Sequence, residues 1–228
     1  MPFVLGVVSL LGVTAGAHRL WAHHTYSAAW PLRLFLVICH TVVGQESIYD
    51  WVLDHRIHHK YFGTDEDPYN YKRGIYYAHF VSKVETAHPR REEHEKEIDM
   101  SDLESDSIVM FQKRFYWLLM PVLCLLLPIN APVEYWGETI FNSFFVVGVL
   151  RYCVTLHLAW LVDSAVVVWG IDPEDKTTAD SNLVFILTKS FWPFYHYLLP
   201  WDFNSGEYGS YEDGFSTAMI KVCSSTRP

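Results

Sequence analysis

The chain has 228 residues, with 17 Lys and Arg against 26 Asp and Glu for a formal net charge of −9. That balance argues against nucleic acid as a partner but leaves room for an anionic ligand at a local basic patch. Half the residues are apolar and 16% are aromatic, yet mean hydropathy is only +0.08. Such a mixture of greasy runs and very polar segments is expected of a single-domain membrane protein with substantial water-facing parts.

Residues 4–17 form an apolar run that falls short of the roughly twenty needed to cross a bilayer, so they read as the end of a membrane helix. The run resembles a signal peptide but lacks a basic n-region, and cleavage is not expected. Immediately after it comes His18-Arg19-Leu20-Trp21-Ala22-His23-His24. On an α-helix, His18 and His23 would point about 140° apart, better placed to serve two neighbouring metals than one. Residues 31–43 are a short apolar stretch carrying Arg33 and His40, which suits a re-entrant or interfacial segment. Residues 45–60 are amphipathic and end in Asp54-His55-Arg56-Ile57-His58-His59-Lys60. If these are helical, His55, His58 and His59 stand at i, i+3 and i+4 on one face, poised to share a metal.

Residues 64–103 are polar. Thr64-Asp65-Glu66-Asp67-Pro68 reads as a loop, the charge run at residues 90–99 as a solvated helix face or loop, and Ser101-Asp102-Leu103-Glu104 as a capping box that starts a helix. Residues 115–132 predict a membrane helix that tolerates Pro121 and Pro128, with Trp117 and Trp136 as an aromatic belt. Residues 139–169 predict another, containing Arg151, His157 and Asp163. The short connection between the two requires an antiparallel hairpin, and Arg151 reads as a structural pairing. From residue 171 the tail is mostly polar, with one apolar patch at 183–191. The four cysteines, Cys39, Cys124, Cys153 and Cys223, have no CxxC spacing and read as core-type thiols.

Taken together, these stretches resemble the membrane acyl-CoA desaturases of the stearoyl-CoA, delta-9 type. The likeness is carried by Gly12 to His23, by Asp54 to Lys60 with Thr64 to Pro68, and by Asp99-Met100-Ser101-Asp102-Leu103. It continues through Trp136-Gly137-Glu138-Thr139, Leu150-Arg151-Tyr152, Trp160 to Ala165, Pro200-Trp201-Asp202-Phe203 and Glu207-Tyr208-Gly209. The resemblance implies an all-α integral membrane bundle with a cytosolic helical cap carrying histidine boxes, in the endoplasmic reticulum membrane. By that resemblance the family's first membrane helix and most of its second are expected to have no counterpart in these residues, unless the chain is a fragment. It further implies two irons, dioxygen, cytochrome b5 as electron donor, and insertion of a cis double bond into a fatty acyl-CoA, at the ninth carbon by family default. Six of the family's nine histidine ligands match: His18, His23, His55, His58, His59 and His196. Trp51 and Trp160 match aromatic positions near the acyl tunnel, while Lys72 and Arg73 match a basic pair that contacts the CoA phosphates.

Three ligand positions differ: Val167, Pro193 and Tyr197 stand where the family has histidine. Asp163 takes the place of the family's water-holding asparagine and is a candidate replacement ligand. Leu53 replaces a CoA-contacting arginine, and His157, about 15 Å of helix from Val167, does not substitute for the missing ligand. Two functional readings follow: an iron-dependent acyl-CoA desaturase, or a relative that has lost the chemistry. For the histidines themselves, the plainer alternative to ligation is a polar membrane-interface helix. His24, His40, His79, His88 and His94 read as packed or solvated.

Overall fold

The computed structural model describes residues 2–85, 88–168, 196, 199–204 and 214–225. Among these every regular element is helical, and three helices are long and apolar enough to cross a membrane: Pro2–Ala22, Ser107–Trp136 and Ile140–Ser164. The all-α membrane class expected from the sequence is the one observed. The chain groups into two compact units interleaved along its length. The first comprises Met1–Trp21, Ala28–Leu53 and Asp99–Ala159; the second comprises Ala22–Ser27, Asp54–Ile98 and Trp160–Pro228.

In the first unit the opening helix corrects the expectation of a short apolar segment. It is α-helical over Pro2–Leu11 and continues as a π-helix over Gly12–Ala22, 21 residues in all. The apolar run stops at Ala17, but the helix does not, because His18 and Arg19 are buried rather than turned to water. The π-helical winding also removes the basis for placing His18 and His23 about 140° apart, since hydrogen bonds there step five residues rather than four. At Gly12 this helix meets Trp30–Val43 backbone to backbone: a Cβ at Gly12 would lie 2.0 Å from the His40 amide nitrogen. Trp30–Val43, with Pro31 in its first turn and left-handed Gly44 (φ 75°) at its end, is a 14-residue apolar helix. That length is short of a span, as the sequence suggested.

The long helix Ser107–Trp136 is capped by Asp106, whose carboxylate accepts from the amides of Ile108 and Val109. A short helix does start at Ser101, as expected, but the capping box is not formed. Met100 occupies the cap position of the short helix Ser101–Glu104, and the Ser101 amide donates to Asp99. Asp106 also receives the Trp21 indole at 3.0 Å and pairs with Arg33. Pro121 opens a π-helical stretch, Pro121–Leu126, inside the same helix. The carbonyl of Cys124 has Pro128 four residues on, which offers no N–H. Arg151 donates to that carbonyl and also to the carbonyls of Val42 (3.1 Å) and Val147 (2.9 Å). Its role is structural, as expected, and it satisfies backbone groups where no water would.

Gly137 (φ 65°) ends Ser107–Trp136 and the chain returns at once as Ile140–Ser164. The Ser143 hydroxyl donates to the Ile129 carbonyl, and a Cβ at Gly148 would meet the Ile129 side chain at 2.9 Å. The predicted antiparallel hairpin is thereby closed. Trp117 and Trp136 are both exposed, separated by about 28 Å of helix rise, close to the ~30 Å hydrocarbon thickness.

In the second unit the charge run is not simply solvated. It folds as the helix Arg91–Lys96, with Arg90 paired to Glu66, Arg91 to Asp54, and buried His94 lying 3.4 Å from Glu66. Lys60 and Tyr61 both donate to Glu97, at 2.6 and 2.7 Å. These bonds hold the Glu97 carboxyl below its ordinary range. The Asp67 carboxylate turns the loop after Tyr61, accepting from the amides of Gly63 and Tyr69.

Candidate metal centre

The helix Ile48–Tyr61 starts in the first unit and enters the second at Asp54. Neither Gly nor Pro interrupts it, so the i, i+3, i+4 spacing of His55, His58 and His59 is realised on one face. His55 and His58 are buried, whereas His59 is half-buried. Against this row lie two further half-buried rings from distant points of the chain, His23 and His196. The ring of His23 is 4.9 Å from that of His55, 4.6 Å from His59 and 4.8 Å from His196. His59 is 4.7 Å from His55 and 5.0 Å from His196.

This packing of four imidazoles is chemically specific. The Nε2 atoms of His23 and His55 are 2.8 Å apart, close to the roughly 3 Å edge between two nitrogens that share a metal about 2.1 Å from each. Ring nitrogens of His23, His55 and His196 lie within 4.8 Å of one another. An all-nitrogen donor set of this kind suits iron, zinc or copper and not calcium or magnesium. The residues therefore fit a transition-metal ion. His58 lies beside the group, 5.9 Å from His55 and 5.7 Å from His59.

Carboxylates sit behind two of the rings. His58 Nδ1 is 2.6 Å from Asp67 Oδ1, which places the ring proton on Nδ1 and leaves the Nε2 lone pair for a metal. His55 Nδ1 is 3.6 Å from Asp163 Oδ1. The Asp163 side chain is fully buried, and its other oxygen is 2.6 Å from the Lys83 ammonium. Asp163 thus faces the Nδ1 edge of His55, while the Nε2 of that ring faces His23. Next to His55, burial pushes the Asp54 carboxyl up despite the Arg91 guanidinium against it.

Of the six histidines singled out in the sequence, five gather in the second unit: His23, His55, His58, His59 and His196. His18 belongs to the first unit, buried, its ring edge-on to fully buried Trp51 at 6.2 Å. Trp160 is edge-on to His79 at 6.0 Å, and His79 Nδ1 is 2.8 Å from Ser164 Oγ. Lys72 and Arg73 are exposed, with Arg73 stacked 3.4 Å from the Tyr77 ring. Pro193, Tyr197 and the 183–191 patch lie outside the described residues, as does the Val167 side chain. Sequence reasoning missed Lys83 and the role of Asp67. The motif Thr64 to Pro68 was a signal for Asp67; an isolated lysine in Phe80-Val81-Ser82-Lys83-Val84 was the faint one for Lys83.

No family model matches the chain, but individual proteins do. It is 45% identical over 220 residues to the Acyl-CoA Delta-9 desaturase of Acheta domesticus, covering 95% of this chain and 61% of that protein. To the Acyl-CoA Delta12-desaturase of the same insect it is 43% identical over 223 residues, 96% of this chain and 62% of that protein. To the Stearoyl-CoA desaturase of Homo sapiens it is 42% identical over 216 residues, 93% of this chain and 60% of that protein. The chain spans about three fifths of the length of these relatives. Over nearly its whole length, this histidine-bearing helical chain is similar to acyl-CoA desaturases, stearoyl-CoA and delta-9 enzymes among them.

Proposed function

We propose that the chain takes part in acyl-CoA desaturation, the removal of two hydrogens from adjacent methylenes of a saturated fatty acyl-CoA to leave a cis double bond at the ninth carbon. The observation that carries this reading is the packing of the His23, His55, His59 and His196 rings into one cluster, with the Nε2 atoms of His23 and His55 2.8 Å apart. Iron bound there, supplied with dioxygen and two electrons, would provide an oxidant for unactivated C–H bonds that no side chain can offer. Overall, dioxygen takes two electrons from the acyl chain and two from the donor and leaves as two waters.

The chain's own residues hold and orient. His18, His23, His55, His58, His59 and His196 are the ligands of a two-iron centre in this reading. Asp67 sets the tautomer of His58, and Asp163 lies behind His55. Trp51 and Trp160 contact the acyl chain, and the exposed Lys72 and Arg73 meet the phosphates of CoA. Cytochrome b5 delivers the electrons, and the histidines face the cytosol from the endoplasmic reticulum membrane. The alternative, a relative without the chemistry, rests on Val167, Pro193 and Tyr197; the relatives named above, all desaturases, lend it no support.

Expression in yeast lacking its own desaturase tests the proposal. Growth without added unsaturated fatty acid, with delta-9 products in the lipid profile, is the expected result. Saturated lipids alone, with the protein demonstrably present, would overturn it.

A further inference from the structure

Lys83 is a lysine almost wholly removed from water, its side chain 8% exposed, and its ammonium contacts lead toward the histidine cluster. Its ammonium is 2.6 Å from Asp163 Oδ2, and the other oxygen of that carboxylate is 3.6 Å from His55 Nδ1. The same ammonium lies 3.6 Å from the centre of the Tyr69 ring. Tyr69 in turn packs 5.3 Å from the His58 ring, and its amide donates to the Asp67 oxygen that holds His58. One cation therefore stands behind two carboxylate–histidine pairs.

A buried carboxylate without a partner is strongly disfavoured, and the Lys83 ammonium supplies the compensating charge for Asp163. Paired and held, its charge 3.6 Å from His55 Nδ1 favours a proton on that nitrogen and leaves the Nε2 lone pair to the cluster. An amide at position 163 would impose no such choice, because it can donate or accept. The contact with Tyr69 adds cation–π attraction, stronger away from water, and braces the loop that carries Asp67.

We propose that Lys83 is a positioning residue for the histidine site, clamping Asp163 behind His55 and, through Tyr69, steadying the loop that orients His58. This rests on reading those histidines as metal ligands. The test uses the full-length protein in detergent micelles, with Co2+ as a visible probe of affinity and ligand field. K83M is expected to weaken Co2+ binding by about ten- to a hundredfold, the cost of losing an outer-shell partner, and to shift the Co2+ absorption bands. K83R, which keeps the charge, is expected to bind nearly as well as wild type. Should K83M fail to fold, K83M/D163N leaves no lone buried charge, and it too is expected to bind at least about tenfold more weakly.

Binding within about twofold of wild type in K83M, or in the double variant, would overturn the proposal. A loss of thermal stability in K83M that the double variant restores, with Co2+ affinity unmoved, would also overturn it by marking the pair as structural. Wild-type protein that binds no Co2+ would overturn the metal reading itself. Weakened binding in K83M together with an absence of desaturated products would overturn only the proposed activity.

Discussion

The Nδ1 of His58 and the Oδ1 of Asp67 are 2.6 Å apart, and the same carboxylate ties down the amides of Gly63 and Tyr69. One side chain thus shapes the loop and selects the tautomer of a ring beside the histidine cluster. Replacing Asp67 by Asn keeps the size but removes the charge that favours the Nδ1 proton. Metal affinity, measured by Co2+ or Fe2+ titration, is expected to fall by about ten- to a hundredfold. An unchanged affinity would show that His58 needs no carboxylate behind it.

The clustered rings should not contribute equally with the isolated ones. His55→Ala, His59→Ala and His196→Ala each remove a donor from a group in which the His59 ring lies 4.7 Å from His55 and 5.0 Å from His196. Each is expected to reduce metal retention and any desaturase output by more than about a hundredfold, exceeding the loss of an outer-shell partner. His88→Ala changes a ring that stacks on His94 at 5.9 Å, away from the cluster, and is expected to leave metal content unaltered. Elemental analysis of the purified variants separates the two groups.

Gly12 is expected to tolerate no side chain. An added Cβ would lie 2.0 Å from the His40 amide nitrogen and 2.5 Å from the Cys39 carbonyl carbon. Those atoms are backbone of a packed helix and cannot swing away. Gly12→Ala should therefore destabilise the protein by about 3 kcal/mol or more, the upper range for overpacking. Its melting temperature in detergent, followed by intrinsic tryptophan fluorescence, reads the effect directly. An unshifted melt would contradict the close helix approach.

Asp106 couples stability to pH. Burial works to raise its pKa, but bonds from Arg33, the Trp21 indole and the Val109 amide outweigh it, and the carboxyl is held below its ordinary value. Its stabilisation is therefore complete above the unfolded value near 4 and disappears as pH falls through the lower, folded value. Asp106→Ala should cost about 2 kcal/mol near neutrality, from the lost helix cap and charge-assisted bonds. The gap in melting temperature between wild type and variant should shrink as the buffer is taken from pH 6 (about two units above the unfolded value) towards it. A gap independent of pH would assign the loss to packing alone.

Local pattern was enough for much of this chain. The i, i+3, i+4 row of His55, His58 and His59 needs only a continuous helix to share a face, and no residue from Ile48 to Tyr61 breaks one. The hairpin between Ser107–Trp136 and Ile140–Ser164 follows from two apolar runs with almost no chain between them. What pattern could not reach was decided by groups far apart in the chain. The opening helix extends past its apolar run because His18 and Arg19 are buried by tertiary packing, which composition does not record. The long helix has its own cap in Asp106, a carboxylate that Trp21 and Arg33 also reach from distant parts of the chain. Most of all, the sequence determined which side chains could bind a metal, whereas only the tertiary structure brought His23 and His196 against His55 and His59. It also set Asp163 and Lys83 behind His55, across some eighty residues of chain that no local periodicity connects.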